Sequence, residues 1–229
     1  MGFDSGWRVR AIALVFGIAV AFSSAEAQSV RPPELNLQYH RAEVAWRSGG
    51  SVLEAKARVD RVLARLPEDV EALKLRSQVL MSLQRPREAL ADAVKATSLR
   101  AADGEAQLIL AEAAHAAGET DLALAALGRA SETVLNDASS HVRMSWLAAE
   151  LDRMAWAEAF ARTALALDAN DPAAYYQLAR VFLRQDKLDN AAAVLANGLR
   201  ESLLSIDAIG GDQELSDLIG HPALQEFSR

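Results

Sequence analysis

The 229-residue chain contains no cysteine. That absence excludes disulfides, thiolate metal sites, a cysteine nucleophile and a lipid-modified cysteine. Aromatic residues are scarce, at 6% of the chain. A basic surplus is also missing, since 24 Lys and Arg stand against 31 Asp and Glu for a net charge of −7. Nucleic-acid binding draws its affinity from cationic surface that displaces phosphate counterions, so no nucleic-acid partner is expected. Anionic lipid surfaces are disfavoured for the same reason. Catalytic signatures are lacking too: the chain has no His-Glu-x-x-His, no phosphate-binding Gly loop and no Gly-x-Ser-x-Gly elbow. Its four histidines, His40, His115, His141 and His221, never pair within one helical turn, which removes a local metal site. Glu105 and Glu112 stand two turns apart, and such carboxylates are a solvated helix face more readily than an acid/base pair. No catalytic residue, metal or cofactor is implied, and no small-molecule substrate is expected.

What the chain does have is alanine, within a composition that is 51% apolar and 24% charged. Alanine is the best helix former and lets helices approach closely, so an all-α fold is expected. At the N-terminus, Arg8 and Arg10 precede the apolar run Ala11–Phe22 and the small-x-small sequence Ala25-Glu26-Ala27. That order matches a secretory signal over 1–27, with cleavage between Ala27 and Gln28 and a periplasmic destination. The run is short for a bilayer span, which needs roughly 20 residues. The alternative is retention as an anchor from about Val9 to Ala25, the one case in which membrane contact is expected. Residues 28–35 contain Pro32-Pro33 and are expected to be an extended linker.

From Asn36 the chain falls into a register of 34 residues. Ala55, Ala89, Ala123, Ala157 and Ala191 form one column, and Val62, Ala96, Ala130, Ala164 and Gly198 a second. A third, twelve residues before the first, holds Glu43, Ser77, Ala111, Ser145 and Ala179. Asp69, Asp103, Asp137 and Asp171 share the same spacing, each just before a helical pattern, where a carboxylate can accept from free backbone N–H groups. Ser51-x-x-Glu54 reads as a capping box, and Pro86 suits the first turn of a helix. In Asn170–Arg200 the residues Tyr175, Leu178, Ala179 and Phe182 share one helical face, and Ala191, Leu195 and Gly198 share another.

This pattern resembles the tetratricopeptide repeat, a helix–turn–helix hairpin of about 34 residues. The resemblance covers 36–205 as five repeats: 36–69, 70–103, 104–137, 138–171 and 172–205. It implies an α-solenoid closed by a C-terminal capping segment, 206–229. Gln107, His141, Ala114 and Ala148 stand where the family usually has larger apolar or aromatic residues, so the middle helices are expected to pack thinly. Leu224–Phe227 is assigned to the cap, with an exposed docking peptide as the alternative.

The resemblance also implies a concave surface lined by the first helix of each hairpin, which in the family takes an extended peptide or a partner helix. On that face stand His40, Val44 and Arg47, then Lys74, Gln78 and Met81. Leu108, Glu112 and His115 follow, then Val142, Trp146 and Ala149, and last Tyr176, Arg180 and Leu183. The groove residues expected to meet a partner are Lys74, Gln78, Met81, Glu112, His115, Trp146, Tyr176 and Arg180. Trp, Tyr and Arg are the types enriched among binding hot spots, and three of these lie on adjacent repeats. The expected role is an exported scaffold or adaptor for a protein or peptide. The alternatives are an accessory subunit that positions a separate envelope enzyme, and a self-assembling structural protein. The register carries a test: Ala123→Leu is expected to overpack a helix crossing and cost about 1–3 kcal/mol, measured by thermal melting.

Overall fold

The computed structural model describes residues 31–133 and 135–227. The expected signal, residues 28–30 of the expected linker and the end of the chain lie outside the described residues. Ten helices form five consecutive hairpins. The first pairs α1 (Pro33–Arg47) with α2 (Val52–Arg65), and the second α3 (Val70–Ser82) with α4 (Pro86–Leu99). Then come α5 (Gly104–Ala116) with α6 (Thr120–Ser131), α7 (Ala138–Glu150) with α8 (Met154–Leu167), and α9 (Pro172–Leu183) with α10 (Leu188–Arg200). A short α11 (Ile206–Gly210) and two 3-10 turns, Ser216–Gly220 and Gln225–Phe227, follow. The described residues contain no strand, and none of their helices is long and apolar enough to cross a membrane.

Why the helices begin where they do is visible in their caps. Asp69, Asp103 and Asp137 each accept from the backbone N–H three residues on, and Asp171 from the N–H of Ala173. Each such bond satisfies one of the four free donors at a helix start. Ser51 accepts from the Glu54 N–H, and Pro86 opens α4 without a wasted donor. One expectation is corrected here: Pro33, Glu34 and Leu35 are the first residues of α1 and not extended linker. Proline at the first helical position has its φ set for the helix and lacks an N–H that would find no partner there.

The turn inside each hairpin uses a further column of the same register. Gln84, Gly118, Asp152 and Asp186 are 34 residues apart and all have left-handed backbone, with φ of 57°, 83°, 57° and 57°. In the first hairpin this role falls to Gly49, at φ 69°. Only two of these five positions carry the residue for which that region is free of strain.

Packing follows the columns. All five alanines of the first column are fully buried, and so are Val62, Ala96, Ala130 and Ala164 of the second. In the third column the hydroxyls of Ser77 and Ser145 donate to the carbonyls of Ala89 and Ala157 at 2.9 and 2.8 Å. A small polar residue is thus tolerated at the crossing because its partner is the facing helix backbone. The middle of the array does not pack thinly: Leu108, Ile109, Leu127, Met144 and Leu147 are fully buried around Ala114 and Ala148. His141 lies edge-on to Phe160, and Gln107 donates to the carbonyl of Ala101.

One junction departs from the register. Helix α6 stops at Ser131, whereas α2, α4 and α8 end at Arg65, Leu99 and Leu167. Thr133 turns back over the start of α5, and a Cβ on Gly104 would meet its hydroxyl at 1.9 Å. Glycine at 104 is therefore a close-approach requirement.

Each first helix touches the first helix of the next hairpin, while second helices meet one another marginally or not at all. A row of helices that keeps contact lies on the inside of a curve, so the odd-numbered helices line the concave side. At the far end Ile209, Leu215 and Leu224 are fully buried against Leu178, Leu195 and their neighbours. They cover a flank that no sixth hairpin covers. The alternative of an exposed docking peptide fails, since Leu224 is core.

Two outcomes follow. Gln84→Gly is expected to remove left-handed strain and stabilise the protein by about 0.5–1 kcal/mol, net of the added chain entropy, seen as a Tm rise of about 1–4 °C. Asp137→Ala is expected to cost about 1 kcal/mol near neutral pH. Partial burial pushes the Asp137 carboxyl up, but bonds from the Ser140 N–H and the Ser139 hydroxyl outweigh it and hold the group below its ordinary value. Its lowered value means that the cap's contribution is present above the unfolded carboxyl value and lost as pH falls through the folded one. The Tm gap between the two proteins should therefore narrow below about pH 4.

Candidate partner-binding groove

The concave side is a row of hollows separated by side chains of the odd-numbered helices. The first, about 610 Å³, is lined by Trp46 and Arg47 of α1, Gln78 of α3, Glu105 of α5 and Arg143 of α7, with Ser139 and Ser140. A second, about 280 Å³, lies among Met81, Pro86, Glu112, His115 and Trp146. A third, about 410 Å³, runs from Trp146 and Ala149 to Gln177, Arg180, Val181 and Arg184, and is closed by Gly211–Glu214. Trp146 is shared by the second and third. Its indole is 44% exposed and meets the His115 ring edge-on at 5.9 Å. A large aromatic left this open on an inward helix face is unusual for a residue whose burial is favourable.

The charges of the groove are joined across repeats. Glu112 of α5 receives both Arg143 Nε and Nη2 of α7, at 2.8 and 2.6 Å, and is mostly withdrawn from solvent. Arg143 loses hydration there, which lowers its affinity for the proton, but the Glu112 carboxylate more than restores it. Glu150 of α7 pairs with Arg184, just past the end of α9, at 2.8 Å. Lys74 of α3 reaches Glu71, Asp103 and Glu105 at 3.0, 3.2 and 2.7 Å. Burial works against its charge, and the hydrogen bond to Glu105 with the neighbouring carboxylates more than compensates, raising its pKa.

Of the eight residues expected to meet a partner, Gln78 lines the first hollow, and Met81, Glu112 and His115 the second. Trp146 and Arg180 meet in the third, and Tyr176, half-buried one turn before Arg180, lies outside that lining. Lys74 stands on the expected face but is closed beneath its three carboxylates, with 8% of its side chain exposed. Arg180 is engaged as well, by Asp212 and Glu214 of the C-terminal segment. Arg143, Glu150, Arg184, Asp212 and Glu214 were missed. Their signal was present: opposite charges recur 31 to 34 residues apart, as in Glu112–Arg143, Glu150–Arg184 and Arg180–Asp212. A repeat register converts that separation into adjacency. Among the described residues no group of three or more acidic or histidine side chains could hold a metal ion.

No protein-family model matches the chain, and no curated protein matches it in sequence. Solved structures do match. TTC0263, a thermophilic tetratricopeptide protein of Thermus thermophilus, superposes with a TM-score of 0.64 at 23% identity, over 76% of this chain and 94% of that one. PilW, described as a widely conserved type IV pilus biogenesis factor, gives 0.68 at 18% identity over 86% of this chain and 91% of that one. Pseudomonas aeruginosa PilF gives 0.58 at 16% identity, covering 85% and 96%. The fold is thus the tetratricopeptide-repeat α-solenoid.

Proposed function

We propose that the protein is a scaffold or adaptor that holds a peptide segment or partner protein along its concave face, in the cell envelope. The observation that carries this reading is Trp146, exposed between two hollows on the inward side of a packed helix array. Aromatic anchors flanked by cavities are what binding hot spots consist of. A preformed surface on packed helices also loses little entropy on binding. The envelope location rests on the N-terminal sequence 1–27. The array recommends no nucleophile, metal site or acid pair, and no catalytic role is proposed.

The test is photocrosslinking in cells from a photoreactive residue placed at Trp146 or at Tyr176, with Trp156 on the outward helix α8 as control. Capture of a discrete protein from the inward positions and not from Trp156 is expected. Capture from Trp156 alone would overturn the groove reading. N-terminal sequencing of the purified protein, expected to begin at Gln28, checks the export step.

A further inference from the structure

The third hollow holds an arrangement that stacking of repeats does not require. Arg180 on α9 and Arg184, the residue that ends it, stand four residues apart on one side of the helix, and both line the cavity beside Trp146. Two acidic residues of the C-terminal segment are laid upon them. Asp212 Oδ2 receives Arg180 Nη2 at 2.5 Å, and Glu214 Oε2 lies 3.3 Å from Arg180 Nε. Glu214 Oε1 is 3.6 Å from Arg184 Nη2. The segment 211–214 covers these charges while its neighbours on either side do the capping: Ile209 and Leu215 are fully buried.

Asp212 is held firmly, with 18% of its side chain exposed and its Oδ1 accepting from the Glu214 and Leu215 N–H groups, but the contacts of Glu214 are looser than the ion pairs between repeats. Glu112 grips Arg143 with two short bonds and has only 10% of its side chain exposed. Glu214 makes long contacts with 49% exposed, and both arginines are more than a third exposed. Exposed ion pairs of the quality of Glu214's contribute about 0–1 kcal/mol, so a carboxylate from outside can replace Glu214 and open the site from that side. The chain thus displays what its arginine pair accepts: two carboxylates two residues apart, presented on a short irregular segment.

Resting on the groove reading above, we propose that this end of the groove recognises an acidic segment of a protein partner, of the form carboxylate-x-carboxylate, and that Asp212-Gln213-Glu214 occupies the site as an internal stand-in until that partner arrives. With the stand-in seated, Arg180, Arg184, Glu150, Asp212 and Glu214 sum to one net negative charge. Once the two carboxylates of the segment leave, the remainder is one net positive charge. The segment therefore sets the sign of the site: seated it repels an acidic ligand, and displaced it attracts one. Trp146 gives such a ligand an apolar and aromatic wall beside the arginines.

The experiment uses the full chain and three fluorescein-labelled peptides read by anisotropy at low salt. One copies Ala208–Ser216, the second replaces its Asp212 and Glu214 equivalents by Asn and Gln, and the third replaces both by Lys. The double substitution Asp212→Asn and Glu214→Gln is expected to tighten binding of the acidic peptide about tenfold over the unsubstituted protein. Adding Arg180→Gln and Arg184→Gln should abolish that gain, and the neutral peptide should bind the same to all. If circular dichroism shows that the double variant fails to fold, Glu214→Gln alone is measured, since Glu214 caps nothing, with about a threefold gain expected. Equal binding of acidic and neutral peptides, or preference for the Lys peptide, would overturn the proposal. Its failure is separable from that of the groove reading: a partner still captured from Trp146 when both arginines are replaced removes the acidic recognition and leaves the groove, whereas no capture at all removes both.

Discussion

Everything in this molecule depends on how closely two helices can cross. The columns of alanine, glycine and serine at 34-residue spacing are where backbones approach, and apart from Val62 and Glu43 in the first hairpin only small side chains stand there. The serines show how strict the fit is. Ser77 and Ser145 occupy a crossing only because each gives its hydroxyl to the carbonyl of the facing helix. Gln177 then donates to the Ser145 hydroxyl at 3.2 Å, tying the fifth hairpin to the fourth inside the core. A hairpin with one apolar side is incomplete by itself; five in register complete each other.

The fold was legible because its determinants repeat locally. Asp69, Asp103, Asp137 and Asp171 announce helix starts through a bond made within three residues, and the small columns announce crossings through periodicity alone. Two features were not legible, for definite reasons. The left-handed column is filled by Gln84, Gly118, Asp152 and Asp186, so residue type carries almost no signal there, and only the spacing marks it. The run from Gln28 to Leu35 looked extended because of its proline pair, yet Pro33 can start a helix as readily as it can stop one.

The groove was legible as a face but not as a surface. Four-then-three spacing placed Trp146, His115 and Arg180 on the inward side, where the structure has them. What spacing along one helix could not disclose is which charges are already spent on neighbours. Lys74 is enclosed by carboxylates from its own helix and the next repeat, and Arg180 is met by a segment 32 residues away. In a repeat protein the pairing rule for charges runs between helices, and a search confined to one helix overlooks Arg143, Glu150 and Arg184.

The absence of firm contact among the outward helices has a mechanical consequence. Bending the array changes distances chiefly along the outer row, which has little contact to break, while the inner row acts as the hinge. The array is then a leaf spring whose stiffness resides on its concave side, in the packing of odd-numbered helices and in the ion pairs Lys74–Glu105, Glu112–Arg143 and Glu150–Arg184. Lys74 and Glu112 are mostly withdrawn from solvent, so their pairs are screened little by mobile ions. Curvature in such a molecule is set along its inner row, where the first helices pack and pair.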